Sequence, residues 1–195
     1  MTGGQGPGKR QTGTTLAEMV VVVAIVAVAA AIAIPRADPN TAFAADAAAA
    51  EIASAIRFAQ REAVRTGIYQ LVSVNSTTQM LKVYRKNDKG DDVLATHPVD
   101  KRAYEISFAN NAMPRATIVS SVFIYQAGAS TNFTAFGPDG NPVNPKSDKL
   151  LGQPAGTLLG AKDAPPLKEE GKVTIRYGDA ERMVRVAPVT GRVTF

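Results

Sequence analysis

The longest apolar feature of the chain is an unbroken run of Met, Val, Ala and Ile over residues 19–34. Taken as residues 14–34, a helix here would be about 31 Å long, enough to cross the hydrocarbon core of a membrane. Residues 1–13 are Gly, Gln, Thr, Pro, Lys and Arg after the initial Met, so they offer a core almost nothing to bury. The pattern predicts a leader over 1–13 and a transmembrane or assembly helix over 14–34.

A second helical pattern follows Pro35, because apolar residues recur at steps of three and four over residues 44–66. The apolar positions are Ile52, Ala55, Ile56, Ala59 and Ala63, and the charged positions are Glu51, Arg57, Arg61, Glu62 and Arg65. Gly67 suits the C-cap of this helix, and Pro35 is expected to kink one otherwise long helix. We therefore predict that residues 35–67 form an amphipathic continuation of the first helix, with its charged face in solvent.

Beyond Gly67 the apolar period changes to two, which is typical of short strands. The predicted strands are 68–75, 80–85, 104–108, 118–125, 132–136, 172–177, 183–187 and 192–195. We expect one antiparallel sheet system over 68–195 that packs on the second half of the helix, which makes the fold class α+β. Residues 142–171 have little periodicity and are rich in Pro, Gly and Lys, so they are predicted to form a long exposed loop.

Charges around the apolar run predict its orientation. Lys9 and Arg10 precede the run, whereas Arg36 on the other side is offset by Asp38. The N-terminus is therefore expected in the cytoplasm and the C-terminal domain outside. A conventional signal peptide with the cleavage site Ala42-Phe43-Ala44 is the alternative, although that site lies eight residues past the run.

Glu18 is an acid at the start of this apolar helix, where a carboxylate usually has a partner. Cleavage after Gly13 would create an amine at Thr14, four residues before Glu18, and helical spacing would place the two groups on one face. The amine of a neighbouring copy could instead meet the carboxylate when helices bundle. A third interpretation is an interfacial Glu18 that only reaches toward lipid headgroups.

The sequence Gly13-Thr14-Thr15-Leu16-Ala17-Glu18-Met19, followed by the apolar run and Pro35, resembles the type III signal of type IV pilins and type II secretion pseudopilins. The resemblance implies cleavage between Gly13 and Thr14 by prepilin peptidase, N-methylation of Thr14, and a role for Glu18 in assembly. It also implies a bacterial inner-membrane location with a periplasmic C-terminal domain, followed by incorporation into a periplasmic filament. Thr14 stands where this family usually has Phe, and Ala17 where a bulky aliphatic residue is common.

Three later stretches resemble the GspH/FimT-type minor pseudopilins and minor pilins: 53–67, 136–140 and 186–193. This resemblance implies a minor pseudopilin that acts as a structural subunit of the type II secretion pseudopilus. The implied partners are prepilin peptidase, other major and minor pilins or pseudopilins, the inner-membrane assembly platform and membrane lipid. The alternative is a minor pilin of a type IV pilus that serves assembly, adhesion or DNA uptake.

Residue types that carry catalysis or bind metals are sparse. The chain has no cysteine and a single histidine, His97, which is expected to be a surface residue without a second ligand or triad partner. Asp88, Asp91 and Asp92 lack the loop-closing Glu of a calcium loop. We therefore predict no enzymatic activity, no cofactor and no metal.

The net charge of +5 is reduced to +3 once Lys9 and Arg10 are set aside, an excess too small to indicate a polyanion partner. Four arginines on the C-terminal strands are Arg176, Arg182, Arg185 and Arg192. Of these, Arg182, Arg185 and Arg192 are the candidate contacts to DNA phosphates or to a protein partner. Cations that discourage sheet-to-sheet aggregation explain them as simply, and no aromatic stacking partner is interleaved with them.

Overall fold

The computed structural model describes residues 15–33, 39–87, 91–109, 116–126, 128, 130–144 and 164–195. Helix α1 covers Leu16–Ala33 and helix α2 covers Pro39–Thr66. The chain divides into two compact units, Met1–Ala37 and Asp38–Phe195. The predicted cleavage and methylation site at Gly13 and Thr14, and the predicted kink at Pro35, lie outside the described residues.

The prediction of one long N-terminal helix with a transmembrane first half is wrong. α1 has 18 residues, which correspond to about 27 Å of helix, whereas about 20 apolar residues are needed to span a bilayer. Within the described residues, no helix combines the length and the apolarity that a membrane crossing requires. The predicted single-pass location in an inner membrane is therefore corrected as well. The helix length of about 31 Å expected from the sequence included Thr15, which precedes the first helical residue.

Helix α2 carries the amphipathic pattern that the sequence predicts. Gly67 ends it with a φ of 69°, and the Gly67 N–H donates to Ala63 O at 2.9 Å. Its buried face consists mainly of alanines, with Ile52 and Ile56 as the large members. α2 contacts strands of both sheets. Its small side chains allow the helix backbone to approach these strands closely.

The strands form two antiparallel sheets rather than one. Their bounds are β1 Gln70–Asn75, β2 Met80–Lys86, β3 Asp92–Leu94, β4 Glu105–Ser107, β5 Thr117–Ile124, β6 Ser130–Thr131, β7 Phe133–Phe136, β8 Pro142–Val143, β9 Gly171–Tyr177, β10 Ala180–Val186 and β11 Val193–Thr194. The first sheet has the order β3-β2-β1-β7-β8 with β4 also paired to β2, and the second has the order β11-β10-β9-β5-β6. The predicted single sheet is thus wrong, because alternation along a strand defines its two faces but not the sheet it joins.

One hydrophobic core lies between α2 and the inner faces of both sheets. In β1 the buried positions alternate as Gln70, Val72 and Val74, and in β10 Val184 and Val186 face inward. The largest buried side chains include Phe123, Tyr125 and Phe136. The core therefore depends on contacts between residues far apart in the sequence.

Both ends of the predicted 142–171 loop belong to the sheets. Val143 pairs with Ala135, and Val143 also forms a bridge with Pro166. Leu167 is buried and bridges Tyr125, so this short stretch joins β8 at the edge of one sheet to the end of β5 in the other. Residues 145–163 lie outside the described residues. Prolines conceal this pairing in the sequence, because they interrupt the alternation by which strands are recognised.

Gln60 of α2 connects the stretches 53–67, 136–140 and 186–193. Its Nε2 donates to Gly140 O at 2.9 Å and to Thr190 O at 2.8 Å. The turn that ends at Gly140 follows β7, and the turn containing Thr190 precedes β11. A single helix side chain thus fixes one turn from each sheet side by side.

Gln79 makes a second connection between the sheets, at the end of the β1–β2 hairpin. The Ile118 N–H donates to Gln79 Oε1 at 2.7 Å, and Gln79 Nε2 donates to Ile118 O at 2.9 Å. The side chain amide therefore pairs with β5 as a neighbouring strand would. Gln79 has a φ of 54°, so its backbone adopts the left-handed region that non-glycine residues rarely occupy.

Candidate functional site

Over residues 16–28 the surface of α1 is apolar on every side, apart from Glu18 in the first turn. Nine large apolar side chains between residues 16 and 28 are half or more exposed, from Val22 at 50% to Leu16 at 84%. Burying one such side chain contributes about 1.5–3 kcal/mol, so exposure to water along a whole helix is unfavourable. A helix that is hydrophobic all round belongs in an apolar environment, and this makes α1 a candidate assembly surface.

Thr15 is the N-cap of α1. The Glu18 N–H donates to Thr15 O at 3.0 Å and to Thr15 Oγ1 at 3.4 Å. Thr-x-x-Glu before an apolar run is the sequence signature of a capping box, in which Glu occupies the third helical position. This signal can be recognised from the sequence alone, and it explains the position of Glu18 by local helix capping.

Glu18 is the one charged residue of α1. Its side chain is exposed in the first turn, where the helix dipole favours a negative charge. The carboxylate therefore lies at the N-terminal end of an otherwise uncharged apolar surface. This arrangement can accept an ammonium group, from the same chain or from a packed neighbour.

The structure does not bring the candidate arginines together. Arg182 and Arg185 are three residues apart on β10, and odd spacing on a strand directs side chains to opposite faces. Arg182 turns toward α2, where its Nε contacts Asp46 Oδ1 at 2.5 Å. Arg185 lies on the outer face, 3.5 Å from Glu170 Oε2. The predicted patch is thus divided between two faces.

Carboxylates also offset most of this positive charge. Arg176 forms an ion pair with Glu181, with Nη2 2.8 Å from Oε2. Arg192 is exposed beside β11, and its guanidinium forms no ion pair with a carboxylate of the described residues. One unpaired cation and three paired cations make a weak surface for phosphates.

His97 lies in a loop, where 25% of its side chain is exposed. Its ring packs edge-on against Tyr104 with centroids 4.5 Å apart, and its Nδ1 lies 3.0 Å from Asp100 Oδ1. The Arg102 N–H donates to Asp100, and this hydrogen bond is the main cause that lowers the pKa of the carboxyl. Burial raises the pKa of Tyr104 to about 12. These contacts stabilise a tight loop. Within the described residues, no group of three or more possible metal ligands is found.

The chain matches no protein-family model, and neither a curated protein nor a solved structure shows significant similarity to it.

Proposed function

We propose that this chain is a minor pseudopilin, a structural subunit of the type II secretion pseudopilus that prepilin peptidase processes between Gly13 and Thr14. The observation that carries the proposal is the uniformly apolar surface of α1 with Glu18 in its first turn. Such a helix gains most by packing among several similar helices, because a single partner would cover only one side of it. The subunit therefore enters the filament through α1.

Glu18 has a specific task in this assembly. A carboxylate inside a bundle of apolar helices is costly unless it meets an opposite charge. The amine that cleavage creates at Thr14 supplies that charge. Pairing between copies would also set the axial register of neighbouring subunits, because one donor and one acceptor define a single alignment along an otherwise uniform surface.

The first test concerns the mature N-terminus. We expect N-terminal analysis of the protein from its bacterial host to show a chain that begins at Thr14, carrying a methyl group on the amine. Expression of the chain in a host that lacks prepilin peptidase should leave residues 1–13 attached. A chain that begins at Ala45 would refute the proposal in favour of a conventional signal peptide.

The second test separates the charge of Glu18 from its role in capping the helix. Glu18→Gln keeps the size of the side chain but removes its charge, so processing should continue while incorporation into filaments falls about tenfold or more. Thr15→Ala is the matched control, since it removes the capping hydroxyl at a cost of about 1 kcal/mol and leaves the carboxylate in place. Immunoblots of sheared filaments measure incorporation. Equal incorporation of the Glu18→Gln variant and the wild type would remove the proposed role of the carboxylate.

The alternative, a minor pilin that takes up DNA, would use Arg182, Arg185 and Arg192. The ion pairs of Arg182 with Asp46 and of Arg185 with Glu170 argue against that use, since they already offset the two cations. We therefore favour the secretion pseudopilus.

A further inference from the structure

Arg57 and Arg61 form a pair of like charges on α2 with no acidic partner in the part of the chain that the structure describes. They are one helical turn apart, and Arg61 Nε donates to Arg57 O at 3.3 Å. No carboxylate of the described residues lies within ion-pair distance of either guanidinium. Like charges at this spacing destabilise a helix by themselves, so a bound anion would relieve an existing repulsion.

The contacts of these two arginines leave most of their donors unused. Arg57 Nη2 donates to Val193 O at 3.0 Å, and among the described residues Arg61 donates only through its Nε. A guanidinium has five N–H donors in a planar fork that matches a carboxylate. Arg65, one turn further on, differs because Glu62 binds it through two hydrogen bonds. Arg57 and Arg61 are therefore the two arginines of this row with N–H donors available to a partner.

Exposed apolar side chains lie at both ends of this pair. The Phe195 ring is 5.7 Å from the Arg57 guanidinium carbon and is 54% exposed. Val64 is three residues after Arg61 and is 55% exposed. A surface that combines cations with flanking apolar groups has the composition of a protein-binding site rather than of a solvated helix face.

We propose that Arg57, Arg61, Val64 and Phe195 form a docking surface for an acidic helix of a protein partner. Residues four apart on a helix are separated by about 6 Å along its axis, so carboxylates at every fourth position of the partner match the two guanidinium groups. Apolar residues beside those carboxylates would cover Val64 and Phe195. This surface is separate from α1, and the proposal does not depend on the proposed filament function.

Charges nearby favour a protein over a nucleic acid as the occupant. Glu62 lies beside Arg61 on the helix, and its carboxylate would repel an extended phosphate backbone that followed the row toward Arg65. The cationic row is also only about 6 Å long, which neutralises far fewer phosphates than a nucleic-acid site usually does.

A peptide-binding experiment tests this surface on the full chain, kept in solution with a nonionic detergent. The probe is a labelled Ala-rich helical peptide that carries a Leu and has Glu at every fourth position. Fluorescence anisotropy should show binding at about 50 mM salt that weakens at about 500 mM. Arg61→Glu should weaken binding about tenfold or more, and a peptide with Lys in place of Glu should bind that variant instead.

The controls are the variant Lys172→Glu, a second peptide and a labelled DNA duplex. Lys172→Glu reverses a charge on the exposed face of β9, which points away from α2, and should leave peptide affinity unchanged. A peptide of the same composition with its Glu residues consecutive should bind more weakly, because its carboxylates no longer match the spacing. Equal affinities for both peptides, or no effect of Arg61→Glu, would overturn the proposal, as would tighter binding of a labelled DNA duplex that depends on Arg61.

Discussion

Replacing Gly191 with Ala is expected to lower the free energy of unfolding by about 3 kcal/mol or more. Gly191 has a φ of 62°, in the left-handed region that favours glycine. A Cβ at this position would lie 2.6 Å from Gln60 Nε2 and 2.7 Å from Gly140 O. The backbone oxygen cannot move without breaking the hydrogen bond from Gln60, so strain and displacement add together.

Gly128→Ala is the matched control for this prediction. Gly128 also has a positive φ, of 81°, but nothing lies within 4 Å of a Cβ there. Its replacement should therefore cost only the conformational strain, about 1–2 kcal/mol. Thermal unfolding followed by circular dichroism measures both variants, and the Gly191 variant should melt about 6–12 °C below the wild type. If the two variants lost equal stability, the close packing of the two turns around Gln60 would be refuted.

Gln79→Ala is expected to lower the free energy of unfolding by about 2–4 kcal/mol. The change removes both hydrogen bonds that the side chain amide makes to Ile118. It leaves a partly buried N–H and C=O of β5 without these partners, and each unpaired group costs about 1–3 kcal/mol. Urea unfolding should show the loss as a lower transition midpoint with an unchanged slope.

Two further variants separate the hydrogen bonds of Gln79 from its backbone strain. Gln79→Gly also removes the hydrogen bonds but accepts a φ of 54° without strain, so it should be more stable than Gln79→Ala. Gln126→Ala replaces an exposed glutamine elsewhere and should change stability by less than about 0.5 kcal/mol. If Gln79→Ala were as stable as the wild type, the pairing with Ile118 would contribute nothing and the prediction would be wrong.

The strands show how far local patterns reach. Alternation predicts β1, β2, β5 and β9 to within two residues at each end, because each has one buried and one more exposed face. It misses β3, β6 and β8, which have two or three residues each, whereas β11 lies within the predicted strand 192–195. A strand this short has almost no period to detect. Its existence depends on a neighbour that the tertiary structure supplies.

Some residues of the candidate site can be recognised from the sequence, and others only from the folded chain. Glu18 and its apolar helix are evident from the sequence, since a lone acid and a long apolar run need no tertiary information to be recognised. The arginines of β10 were grouped incorrectly, although their odd spacing already places Arg182 and Arg185 on opposite faces. Their partners Asp46 and Glu170 are remote in the sequence, and only the folded chain brings them into contact.

The sequence by itself determined the amphipathic helix ending at Gly67, most of the strands, and an apolar N-terminal segment with one carboxylate. These features follow from side chain chemistry and local periodicity, which act over a few residues. Only the tertiary structure decided that there are two sheets and that Gln60 and Gln79 connect distant turns and strands. Those choices depend on long-range packing and on hydrogen bonds between remote residues, which no local pattern encodes.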